Sequence, residues 1–294
     1  MSDNRRPAIT QAMIDAYDEY THLTLDRRRF MERLRQLAGS ATAAAAIAPM
    51  LAASSAAAAI IAPDDTRLET GKTAFEGAMG EVGAYYARPA SSDARLPAVI
   101  VIHENRGLNA HIEDVARRMA LEGFHAIAPD FLSISGGTPA DEDKARGMIG
   151  ELDGAQTTED AGAAVAYLEG LNRTNGKVGA VGFCWGGGLV NQLAVHSADL
   201  SAGVAYYGRQ PSADDAAKIQ AAMLLHYAGL DDRINAGINA YKAALSAAGK
   251  DFTIHVYDGV NHAFNNDTSE ARYNKEAADL AWKRTIAFFK EKLA

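Results

Sequence analysis

Lys177-Val178-Gly179-Ala180-Val181-Gly182-Phe183-Cys184-Trp185-Gly186-Gly187-Gly188-Leu189-Val190 is the stretch that decides the fold of this chain. Its first seven residues are near-continuously apolar, as a strand buried on both faces must be. Leu189, Val190, Leu193 and Ala194 then carry helical spacing. Between strand and helix lies Gly182-Phe183-Cys184-Trp185-Gly186, a G-x-nucleophile-x-G elbow with cysteine at its centre. A nucleophile held on so sharp a turn needs small residues two before and two after it. The turn lifts the thiol above the sheet edge and aims the Trp185 N–H toward a substrate carbonyl oxygen. The helix start that follows favours thiolate over thiol. A phosphate-binding loop is the competing reading, but no Lys-Ser/Thr follows the glycines and no G-x-G-x-x-G fits.

Apolar runs bounded by turn residues recur on both sides of the elbow, at 97–102, 124–129, 202–207, 223–227 and 252–257. Between them stand helical stripes. Ile112, Val115, Ala116, Met119 and Ala120 form one, with Gly123 where a C-terminal cap belongs. Ala161, Ala164, Val165 and Leu168 form another, with Glu159 and Asp160 in an expected acidic first turn. Trp282, Ile286 and Phe289 mark a closing amphipathic helix. Strand and helix alternating in this way predict a mostly parallel sheet with helices on both faces. With the elbow, that is the α/β-hydrolase fold, expected as one domain over residues 63–294.

Such an elbow requires an acid next in the chain and a histidine last, each on a loop after a later strand. Leu230-Asp231-Asp232-Arg233 follows the run at 223–227, so Asp231 and Asp232 compete for the acid. Asn261-His262-Ala263-Phe264 follows the last run. Among the eight histidines, His262 alone stands where the order demands. His226 and His255 lie inside strand runs and read as packing. His103 ends a strand near the active face and is a candidate site residue.

Gly182-Phe183-Cys184-Trp185-Gly186-Gly187, Gly229-Leu230-Asp231 and Asn261-His262-Ala263-Phe264 resemble the dienelactone hydrolase family. The resemblance spans 70–294 and takes in His103-Glu104-Asn105-Arg106-Gly107-Leu108 and Ala128-Pro129-Asp130. It implies a cysteine hydrolase of esters or lactones, working through an acyl-enzyme without metal or organic cofactor. It favours Asp231 over Asp232. It also implies that Glu104 takes the thiol proton until substrate arrives, and that the Asn105 N–H joins Trp185 in the oxyanion hole. Family members acting on dienelactone bind its carboxylate with arginines, one of them four residues after the histidine; here that residue is Asn266. Arg106, Arg146 and Arg209 remain as candidate anion contacts, and Tyr207, Trp185 and Phe264 as candidate pocket walls.

Residues 1–62 are a different kind of sequence. Asp26-Arg27-Arg28-Arg29-Phe30-Met31 precedes an alanine-rich, uncharged stretch from Ala38 to Ala62. Basic residues, a modest apolar stretch and small residues at Ala57-Ala58-Ala59 make the pattern of an export signal. The arginines and Phe30 resemble a twin-arginine signal, with Asp26 in place of the usual Ser or Thr and a long leader before it. The segment is expected to stand outside the fold and to be cut near Ala59. That implies contact with export machinery and a periplasmic or secreted enzyme; a retained helix or membrane anchor, or a cytoplasmic protein, is the alternative.

The formal net charge of −8 argues against nucleic acid or an anionic membrane as partner. A single cysteine is read as excluding a disulfide framework and a cysteine-based zinc site, so no metal is expected. Rival readings are a small-molecule-binding protein on a hydrolase scaffold and a thiol redox protein, the latter needing a resolving thiol from elsewhere.

Overall fold

The computed structural model describes residues 8–22, 25–52, 59–92 and 94–294. Eight strands form one sheet: β1 (Leu68–Glu76), β2 (Glu81–Pro89), β3 (Leu96–Ile102), β4 (His125–Pro129), β5 (Thr174–Phe183), β6 (Ala202–Tyr206), β7 (Ala222–Ala228) and β8 (Phe252–Tyr257). Their spatial order is β1-β2-β4-β3-β5-β6-β7-β8, and β3 to β8 run parallel. β1 and β2 are an antiparallel hairpin on one edge that sequence reading did not single out. Most of β1 is only half-buried, so its residues carry no continuous apolar run.

The helices are α1 (Gln11–Thr21), α2 (Arg27–Ala38), α3 (Ala41–Leu51), α4 (Ala110–Leu121), α5 (Glu142–Gly150), α6 (Gly154–Gly170), α7 (Trp185–His196), α8 (Ala213–Ala216), α9 (Asp232–Asn235), α10 (Ile238–Ala247) and α11 (Lys275–Lys292). Strand residues alternate between two cores. Val99 and Val101 pack with Ile112, Val115 and Met119 of α4 and with Ile286 and Phe289 of α11. Ala98, Ile100 and Ile102 pack with α6, α7 and α10 on the other face. Gly123 closes α4 with a positive φ of 99°. α6 begins earlier than its acidic pair suggested: Asp153 caps it, while Asp160 is buried within it and accepts from the Ala78 N–H at 2.7 Å. Parallel strands entering this way put every β3 to β8 C-terminal end on one rim, the usual place for a site in such sheets.

Residues 11–51, expected to stand outside the fold, are folded against it. Met13, Ile14, Tyr17, Tyr20, Phe30, Leu34, Ile47 and Leu51 form a small separate core between α1, α2 and α3. Tyr20 and Phe30 stack with ring centroids 4.8 Å apart. The small residues at Ala57 and Ala58, expected to flank a cleavage point, lie outside the described residues. Among the described residues, no helix is long and apolar enough to cross a membrane.

Candidate active site

Cys184 stands between β5 and α7 with φ 55° and ψ −114°, a strained backbone for a residue with a side chain. Its N–H is held by the Tyr206 carbonyl at 3.0 Å. The flanking glycines are required by close approach. A Cβ on Gly182 would lie 2.2 Å from the Gly186 oxygen, and one on Gly186 would lie 2.5 Å from the His103 oxygen. Among the described residues only Cys184, Tyr207 and Ala263 have positive φ without being glycine. All three sit on this rim, so backbone strain is concentrated at the site.

Asp231 and His262 come from the ends of β7 and β8. His262 Nδ1 lies 2.5 Å from Asp231 Oδ2, and both residues are buried. Asp231 also accepts from the Ile234 N–H as the cap of α9, which fixes the carboxylate. Asp232, by contrast, is exposed. Because Nδ1 is occupied, the lone pair or proton at His262 Nε2 faces the thiol side, and Nε2 has no other hydrogen-bond partner. Burial opposes ionisation of the Cys184 thiol, but the charges of His262 and then His22, with their hydrogen bonds, bring it down to about 6. Burial likewise opposes the His262 imidazolium, and Cys184 and Asp231 outweigh it to raise its pKa to about 10. A thiolate–imidazolium pair beside a carboxylate is the state this arrangement favours.

The rim opens into a cavity of about 660 Å³, whose lining includes Cys184, Trp185, Asn105, Tyr207, Arg209 and His262. The backbone N–H groups at the start of α7 have no carbonyl of their own helix to bond. Arg146 also lines it, paired with Asp143 and stacked over Tyr20. Other candidates lie elsewhere. His103 is fully buried beneath Trp185, with ring centroids 5.2 Å apart, and its Nδ1 meets the Glu104 carbonyl. Arg106 is buried and donates to the Tyr17 hydroxyl at 2.6 Å. Phe264 is fully buried against Tyr207. Glu104 is buried, and its Oε2 accepts from Asn266 Nδ2 at 2.6 Å.

Sequence reading missed what comes from the far end of the chain. Thr21 and His22 line the same cavity. His22 Nε2 stands 3.5 Å from Cys184 Sγ, and its ring meets that of His262 edge-on at 4.7 Å. Asn105 Nδ2 donates to the Thr21 carbonyl at 2.6 Å, and Arg233 Nη2 reaches His22 Nε2 at 2.9 Å. Arg272 pairs with Asp18 at 2.9 Å and lies over the Tyr17 ring. The one available signal was the spacing of Met13, Ile14, Tyr17, Tyr20 and Thr21, which is that of a helix with a buried face.

With this geometry in hand, residues 82–293 match the model of the dienelactone hydrolase family. The chain belongs to the dienelactone hydrolase family. It is 34% identical over 245 residues to a protein of Escherichia coli O157:H7 named as a candidate carboxymethylenebutenolidase, covering 78% of this chain and 89% of that one. A similarly named protein of Salmonella typhi is 32% identical over 267 residues, covering 86% and 95%. The crystal structure of a candidate dienelactone hydrolase from Klebsiella pneumoniae superposes with a TM-score of 0.69 at 31% identity, covering 76% of this chain and 98% of that one. This member of the family is therefore a hydrolase, and its sheet order is that of the α/β-hydrolase fold.

Proposed function

We propose that this hydrolase cleaves a small carboxylic ester or lactone through Cys184, with His262 as the proton-transfer group and Asp231 orienting it. The observation that carries the reading is the strained, buried Cys184 beside a His262 whose Nδ1 is fixed on Asp231 and whose Nε2 is left free. The thiolate attacks the acyl carbon, and the Trp185 and Asn105 N–H groups receive the developing oxyanion. His262 gives its proton to the leaving alcohol, then takes one from water as the acyl-enzyme is hydrolysed. Removing one oxyanion donor costs about 3–4 kcal/mol in such sites, so the elbow backbone matters as much as the side chains.

Arg146 and Arg209 on the cavity wall suit a substrate with an anionic group, although Asn266 is bound to Glu104 and offers no charge. The test is hydrolysis of a panel of p-nitrophenyl esters and small lactones by wild type, Cys184→Ala and His262→Ala. Turnover lost in both variants, with normal circular dichroism, is the expected result; turnover surviving in Cys184→Ala sinks the assignment.

For location, export of the folded chain remains the reading suggested by Arg27-Arg28-Arg29-Phe30 and the alanine-rich stretch. Cleavage near Ala59 would strip Thr21 and His22 from the cavity. Sequencing the N-terminus of the protein recovered from the periplasm, or its recovery from the cytoplasm alone, decides the matter.

A further inference from the structure

Cys184 Sγ, His262 Nε2 and His22 Nε2 all lie within 4.8 Å of one another. Each imidazole is held in the same way at its other nitrogen. His262 Nδ1 is fixed on Asp231, and His22 Nδ1 on the Asp18 carbonyl at 2.6 Å. A carbonyl only accepts, so His22 in its neutral form carries its proton on Nδ1 and turns the Nε2 lone pair inward. The same conclusion follows from the other side, because the Arg233 guanidinium only donates and meets that Nε2 at 2.9 Å. His262 Nε2 is buried, aimed at the thiol and without any other partner. Two imidazole nitrogens and a thiol, each imidazole backed by an oxygen, is the outer-shell pattern of histidines that bind metal.

We propose that Cys184, His262 and His22 form a three-ligand site for a zinc-class divalent cation, whose binding reversibly silences the nucleophile. The inference rests on the hydrolase reading only for its inhibitory consequence; the binding itself does not depend on it. Sulfur and imidazole donors select late transition metals over magnesium or calcium. With zinc-to-sulfur near 2.3 Å and zinc-to-nitrogen near 2.0 Å, tetrahedral ligands stand about 3.5 Å apart. The His22-to-thiol separation of 3.5 Å already has that value, and small side-chain rotations bring the two imidazoles together. The fourth position faces the cavity and takes water. Charge and protons balance simply. The ion displaces the one proton shared by thiol and His262, which leaves to solvent, and no electron moves.

The groups facing the site set its strength. Asp231 supports a cation through His262. Arg233 opposes it, occupying the His22 lone pair in the metal-free protein, but its side chain is on an exposed residue and is free to swing away. Tyr207, also on the wall, is held neutral by burial, with Glu104 and Cys184 adding to the effect. Without α1 the site has two ligands, which is too few for tight binding. The N-terminal segment thus decides whether this hydrolase is metal-sensitive.

The test is titration of the full chain with Co²⁺, read as the thiolate-to-cobalt charge-transfer band and the visible bands of a tetrahedral ion, with Zn²⁺ competition. Wild type is expected to give both bands and to lose them to Zn²⁺ or a chelator. Cys184→Ser should lose the charge-transfer band, His22→Ala and His22→Gln should weaken binding at least 10-fold, and Arg233→Ala should tighten it. Absence of the bands in wild type, or binding unchanged in both His22 variants, overturns the proposal. Ester turnover blocked by Zn²⁺ and restored by chelator completes the prediction. Bands without any ester turnover would leave the metal site standing and fell the hydrolase reading instead.

Discussion

The catalytic domain and the N-terminal segment are held together by different chemistry. From β1 to α11 the domain is closed by two apolar layers, with Val101, Ile100, Leu193 and Phe289 all fully buried. The segment of α1 to α3 has a small core of its own but meets the domain through polar and cationic contacts. Arg27 pairs with Asp143 at 2.6 Å, Arg272 with Asp18, Arg106 with the Tyr17 hydroxyl, and Arg146 lies over Tyr20 at 4.4 Å. Apolar burial is non-directional and cooperative, whereas the exposed Arg27–Asp143 pair contributes about 0–1 kcal/mol, and the buried Arg106, Arg146 and Arg272 would gain water as a partner if the segment left. The domain should therefore survive the loss of the segment, yet the cavity cannot keep its shape without it. Stability resides in one region, and part of the site's chemistry in the other.

The largest expected effect falls wholly on the domain. Asp231→Asn keeps the shape but offers an amide where His262 needs an acceptor, so kcat should fall about 10⁴-fold with little change in folding. Retention of wild-type turnover would mean that another group orients His262. Next is Gly186→Ala, whose methyl would press on the His103 and Ile102 carbonyls. Urea unfolding should register a loss of about 3 kcal/mol. An unchanged midpoint would show that the elbow can relax.

The two regions meet in the pH dependence of the thiol. Its pKa is lowered, so the thiolate is present above about 6 and lost as pH falls through that value. Iodoacetamide inactivation should thus reach half its maximal rate near pH 6, rather than near the ordinary thiol value of about 8.5. His262→Ala should move that midpoint up strongly and His22→Ala more modestly, the order in which their charges act on the thiol. An identical midpoint in wild type and His22→Ala would reduce α1 to a passive wall. The smallest effect on stability is expected from Asp18→Ala. It leaves Arg272 without its carboxylate, but the segment can lift and let water reach the guanidinium. Limited proteolysis between α1 and α2 should accelerate while the domain's unfolding midpoint shifts by about 1 kcal/mol or less. A large loss of global stability would contradict the separateness of the two regions.

The same contrast governs what could be read in the sequence. β3 to β7 are buried on both faces over most of their length, so their apolar runs stand out, while the half-buried edge strand β8 shows itself by β-branched and aromatic residues. The elbow glycines advertise the backbone contacts that forbid a Cβ. Chain order then selects His262 and narrows the acid to two neighbours. β1 and β2 escape because β1 is a mostly half-buried edge strand and charged or polar residues and glycines interrupt the apolar ones in both. The start of α6 was misplaced because Asp160, an acidic residue of the kind that opens helices, is instead used in the interior to hold the Ala78 N–H. His22 escapes for a deeper reason. Its meeting with Cys184 joins residues 162 positions apart, through an alanine-rich segment whose composition also suits an export signal. Glu104, to which the family resemblance gives a hold on the thiol proton, has its Oε2 on Asn266, while His22 stands at the sulfur.

The most direct test of the central claim is a rapid-mixing experiment with p-nitrophenyl acetate, followed by acid quench and peptide mass analysis. A burst of one p-nitrophenol per active site, with the acetyl group on the peptide bearing Cys184, is the predicted result. Steady release without a burst and without an adduct, or an acetyl group on any other residue, would contradict it.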